Sequence, residues 1–103
     1  YGGPALAAGT DRVFVLAGQC GVPLTARAIS LNATVTEPTT RGDLRLYPGG
    51  TLLPLISTIN YPVGKTRAND NIVVVGAAGD VAFRCDQNSG TVHVIVDVNG
   101  YFQ

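Results

Sequence analysis

The chain is short of charge. Lysine and arginine together number 7, as do aspartate and glutamate, so 14% of its 103 residues are charged and the net charge is zero. A typical soluble domain carries about 25%. A neutral chain has no basic patch with which to neutralise phosphates, so neither nucleic acid nor an anionic membrane surface is an expected partner. Zero net charge also removes the self-repulsion that keeps proteins apart. Methionine and tryptophan are absent, and histidine occurs once. The lone His93 has no partner at ligand spacing, and the two cysteines form no CxxC, so no metal site is expected. GxSxG, the phosphate-binding loop and the dinucleotide fingerprint are all missing. Without a nucleophile beside a base, the chain reads as a non-enzyme needing no cofactor. No apolar run approaches the ~20 residues of a membrane-spanning helix. Tyr1 to Thr10 is too short and glycine-rich for a signal-peptide core, and position 1 is not methionine, which fits a processed or partial chain.

What is present is alternation. Hydrophobic residues make up 46% of the chain. Near the end, Val92, Val94, Val96 and Val98 share one face of a strand, while His93, Ile95, Asp97 and Asn99 share the other. A strand apolar on one face belongs to a sheet packed on one side, as in antiparallel sandwiches. The Ile95 position suggests contact with something other than bulk water. Ile29, Leu31, Ala33 and Val35 alternate with Ser30, Asn32, Thr34 and Thr36. Further strands are expected over 11–16, 43–47, 55–61, 71–75 and 81–85, separated by glycine, proline, asparagine and aspartate turns. No segment has a 3.6-residue period. Strands with turn signals every ~8–12 residues indicate an all-β fold, an approximately seven-stranded antiparallel sandwich of immunoglobulin-like or jelly-roll-like type. One domain is expected over 11–103, preceded by an extended arm or linker over 1–10.

Several residues invite a chemical reading. Cys20 follows one apolar strand and Cys85 ends another. A disulfide between them is the economical arrangement, two separate buried thiols the alternative. The bridge would close a loop of about 66 residues, an entropic stabilisation of at most about 4 kcal/mol, and would imply an oxidising compartment. Asn32-Ala33-Thr34 is an N-glycosylation acceptor pattern, placed mid-strand. Asn69-Asp70-Asn71 and Asp86-Gln87-Asn88 are oxygen-rich, but they read first as turns, and their spacing matches no calcium loop. Arg41-Gly42-Asp43 spells an adhesion tripeptide and equally suits a tight turn.

Read in order, Ala17-Gly18-Gln19-Cys20-Gly21-Val22-Pro23, residues 28–36, Gly42-Asp43-Leu44-Arg45-Leu46-Tyr47-Pro48, Ser57-Thr58-Ile59-Asn60-Tyr61 and the terminal Val96-Asp97-Val98-Asn99-Gly100-Tyr101-Phe102 carry a resemblance. They resemble a poorly characterised family of β-sandwich modules in secreted, often multidomain bacterial proteins, whose units end in a V-D-V-x-G-Y-F strand. The resemblance spans roughly Leu6 to Phe102. It implies an extracellular or cell-surface location and no catalytic residues, and it implies a Cys20–Cys85 pairing, as in a subset of the family. Family units usually begin with a further segment, and this chain starts at Tyr1 without it. A sandwich missing an edge strand leaves a groove that a neighbour's extended segment can fill. Tyr1, Pro4, Ala5 and Leu6 are therefore the candidate assembly arm, with a flexible linker or the domain's own first strand as alternatives. The leading expectation is a structural subunit that assembles head to tail with copies of itself into a filament or tandem array. The alternative is a carbohydrate-binding or adhesion module using Tyr47, Tyr61 and Tyr101.

Overall fold

The period-two pattern of residues 28–36 becomes the longest continuous interior face of the molecule. In the computed structural model, which describes residues 4–19, 21–51 and 59–103, this stretch is β3 (Ala28–Thr36). Ile29, Leu31, Ala33 and Val35 are each fully buried. The other strands are β1 (Leu6–Ala7), β2 (Asp11–Val15), β4 (Gly42–Pro48), β5 (Ile59–Tyr61), β6 (Arg67–Val74), β7 (Asp80–Gln87) and β8 (Thr91–Phe102). No helix is present among the described residues. The strands form two four-stranded antiparallel sheets, with orders β1-β8-β3-β6 and β2-β7-β4-β5.

The pairing has a simple rule. β1 pairs with β8, β2 with β7, β3 with β6 and β4 with β5. The chain is one long hairpin whose paired strands are wrapped into two facing sheets, which is the jelly-roll winding. The two inner faces meet in a core built around Phe83, Leu31, Leu44, Val92 and Val96, all fully buried. Phe14 packs edge-on against Phe83, ring centroids 5.1 Å apart.

The structure departs from the sequence expectations in three places. An eighth strand, β1, lies inside the segment read as an arm. Leu6 pairs with Val92 of the same domain and is only 3% exposed, so the domain's own core takes the side chain assigned to a neighbour. Pro4 is exposed and Ala5 half-buried, while Tyr1 lies outside the described residues. β6 starts at Arg67, so Asn69-Asp70-Asn71 is strand rather than turn. Pairing with β3 along its whole length overrides the weak β-propensity of these residues. Likewise β7 runs on to Gln87, which places Asp86 in the ladder opposite Asp43. Of the strand expected over 55–61, the described part is Ile59–Tyr61.

β8 carries one irregularity. Ser30 faces Gly100, but Leu31 faces Val98, leaving Asn99 as an extra residue. Such a bulge bends the strand and interrupts its alternation. The Ser30 hydroxyl donates to Asn99 Oδ1 at 2.7 Å and fixes the bulged side chain.

Candidate functional site

Strand alternation decides what the second sheet shows to solvent. Phe83, Cys85 and Leu44 point inward, so Arg84, Asp86, Asp43 and Arg45 must point out. The ladder sets Arg84 opposite Asp11 on one side and Arg45 on the other, and sets Asp86 opposite Asp43. The result is a charge network. Arg45 grips Asp86 bidentately, with Nε–Oδ2 at 2.7 Å and Nη2–Oδ1 at 2.8 Å. Arg84 reaches Asp11 at 3.1 Å and Asp86 at 3.5 Å. The Tyr47 hydroxyl donates to Asp11 at 2.9 Å.

Partial burial makes these contacts electrostatically stronger than open surface pairs. The Arg45 hydrogen bonds hold the Asp86 carboxyl below the usual range, opposed by burial. Arg45 is held above its ordinary value by Asp86, and Arg84 by Asp11. Burial first, then the Asp11 carboxylate, raises Tyr47.

At the end of this face lies a cleft of about 790 Å³. Asp43, Arg84 and Asp86 line one part of it, Asn60, Asn88 and Arg41 another, and Pro62 and Val63 supply an apolar wall. Gly42 permits the close approach of β4 to β7 here. A Cβ on it would lie 2.4 Å from the Asp86 carbonyl oxygen. Arg41-Gly42-Asp43 thus enters a strand at once, with Gly42 packed, Asp43 facing the cleft and Arg41 exposed.

Behind the cleft sits a partly buried polar cluster. The Tyr61 hydroxyl donates to Gln87 Oε1 at 2.6 Å, and the Cys85 thiol approaches the same oxygen at 3.5 Å. Gln87 Nε2 donates to Thr40 Oγ1 and to the Ser89 carbonyl, each at 3.0 Å. Burial, then the neighbouring Cys85, pushes Tyr61 up, and burial pushes the Cys85 thiol up. A thiol held in its neutral form is a poor nucleophile and a poor metal ligand. Cys85 is a free, buried thiol, and Cys20, its expected disulfide partner, lies outside the described residues.

The remaining sequence candidates are scattered. His93 stands on the outer face of the first sheet, 3.8 Å from Glu37. Asn32 lies on that face between Asp97 and Asp70. In the amide orientation that satisfies its neighbours, Asn32 Nδ2 donates to Asp70 Oδ1 at 3.0 Å and to the Asn69 carbonyl at 3.2 Å. The glycan-acceptor nitrogen is thereby tied into the sheet. The three tyrosines read as a sugar platform fall in three places. Tyr47 lies over the second sheet, Tyr61 is buried at the rear of the cleft, and Tyr101 is the penultimate residue of β8 in the first sheet. Asn69 and Asn71 alternate in face with Asp70 along β6, so they do not converge as loop ligands would. Sequence reasoning missed the charge network altogether. Its only signal was Asp or Arg at alternate positions in 43–45 and 84–86, and its meaning depended on which strands are neighbours.

The chain matches no protein-family model and no curated protein.

Proposed function

We propose that the chain is a non-catalytic extracellular structural module that associates with copies of itself through strand edges, as a subunit of a bacterial surface filament or tandem array. One observation carries this reading. The outer face of the first sheet ends in a row formed by Phe102, Ala28 and Val74, with Ile72 beside it, and the three large side chains are exposed by half or more. An uncovered apolar row on a chain without net charge favours association over dispersal. The resemblance to secreted bacterial sandwich modules supports the extracellular setting. Because Leu6 belongs to the domain's own core, an arm contribution to a neighbour falls to the residues before it. Sedimentation velocity across a wide concentration range, with electron microscopy of the same samples, tests the reading. Concentration-dependent oligomers are expected, and a monodisperse ~11 kDa species throughout would overturn it.

A second reading has one observation in its favour. The cleft lining balances Arg41 and Arg84 against Asp43 and Asp86 and adds Asn60 and Asn88, a set suited to the hydroxyls of a neutral glycan. Screening against neutral oligosaccharides decides it, and the absence of binding at millimolar concentration removes it.

A further inference from the structure

The two sheets have four edge strands among the described residues, and these are not equally protected. A free edge offers unpaired backbone groups to any other strand, and proteins blunt such edges by shortness or by charge, including charge pointing inward. β1 is two residues long. β2 carries Arg12 on its inward side, opposite Phe83, with Nη1 buried and without a hydrogen-bond partner. A strand added there would bury that guanidinium further. β6 differs. It is eight residues long, and Arg67 and Asp70 protect only its first part. From Asn71 to Val74 there is no charge, and Ile72 and Val74 are 66% and 60% exposed.

We infer that β6 is the edge through which two copies join, by antiparallel pairing with the β6 of a second copy about a two-fold axis. This inference rests on the self-association reading above and names one of its surfaces, since a two-fold contact closes on a dimer and a filament needs a second contact. The pattern of β6 selects the register. Residues opposite each other in an antiparallel pair share a face, so even-numbered positions, which face outward here, must meet even-numbered positions. Centring the axis on Asp70 would set two carboxylates directly opposite, which is destabilising. Centring it on Asn71 leaves the same carboxylates diagonal to each other. Centring it on Ile72 places Ile72 against the partner's Ile72 and Val74 against the partner's Asp70, and moves the two carboxylates apart. It also places Val73 against the partner's Asn71 on the inner face. The row of Phe102, Ala28 and Val74 then abuts the partner's Asp70, and the two Ile72 side chains meet at the centre of a sheet of doubled width. A self-complementary edge of this kind calls for a copy of the same strand, because both sides must keep charge from charge and apolar from solvent.

The experiment uses the whole chain. Ile72→Lys should weaken dimerisation at least tenfold in sedimentation equilibrium, and Val13→Lys on β2 should leave it unchanged. Ile72→Cys should give a disulfide-linked dimer on non-reducing gels, because that position lies on the axis, and the natural chain serves as the control. Ile72 is exposed, so both variants should melt within a few degrees of the parent, which checks folding. A natural chain that associates while Ile72→Lys associates equally overturns the β6 assignment and leaves the self-association reading standing. A natural chain that is monomeric at every concentration overturns both.

Discussion

The two outer faces of the sandwich share a strand geometry and differ in chemistry. The second sheet is covered by its own charges, with Asp11, Arg84, Asp86 and Arg45 linked across three strands. The first sheet presents Ala28, Ser30, Asn32, Thr34 and Thr36 along its middle strand, flanked by exposed Ile72, Val74, Ile95 and Phe102. Partly buried charges paired within one face leave little for a protein partner to gain, since a partner would have to replace hydrogen bonds already made. A face of short side chains between taller apolar ones has few such bonds to give up. The contrast separates a face that stabilises the monomer from a face and edge available for contact.

Removing Arg45 should break the first side of this comparison most severely. Arg45→Met leaves Asp86 beside Asp43 without its bidentate partner. Hydrogen bonds to charged groups are worth roughly 1.5–3 kcal/mol, so a loss of about 2 kcal/mol is expected in urea unfolding. The matching change on the other face, Ser30→Ala, should stay within about 0.5 kcal/mol. Equal losses from the two would show that the charge network is ornamental.

Titration sharpens the same point. The folded-state value of Asp86 is lowered, so its contribution is fully present above the unfolded carboxylate value of about 4 and is lost as pH falls below it. Asp86→Asn should flatten that acid limb in thermal melts at stepped pH. Cys85 and Tyr61 are raised, so their neutral forms stabilise the fold below about pH 8.5, and stability should decline as pH rises beyond that value. Cys85→Ala, followed by the same melts, should displace the start of the alkaline limb upward. The smallest effect belongs to the His93–Glu37 contact on the first sheet's face. His93 and Glu37 are well exposed and 3.8 Å apart, so His93→Gln should change stability by no more than about 0.5 kcal/mol.

The sequence made β3, β4, β7 and β8 legible because each buries one face only, and hydrophobic alternation reports that directly. It concealed β1, since two residues cannot show a period, and the first half of β6, whose polar residues resemble a turn until β3 is beside them. The charge network was hidden for a different reason. Arg45 and Asp86 are far apart in the chain, and their meeting depends on β4 lying next to β7. Tyr61 misled in the opposite sense. An aromatic near a turn looks exposed, yet strand parity turns it into the core against Cys85 and Gln87. Local pattern gives the face of a residue, and only topology gives its neighbours.

The nested hairpin has a consequence for how the molecule comes together. Among the described residues its innermost pair joins Leu44 to Ile59, while its outermost joins Leu6 to Val92 across nearly the whole chain. Loop-closure entropy rises with the length enclosed, so the outer pair is costly to form first and inexpensive once the inner pairs have drawn the ends together. Folding should then zip outward from the β4–β5 end, slowly, as in other topologies dominated by distant contacts. β1 would dock last, and until it did, one edge of β8 would stand open on a chain with little charge to keep it from its neighbours.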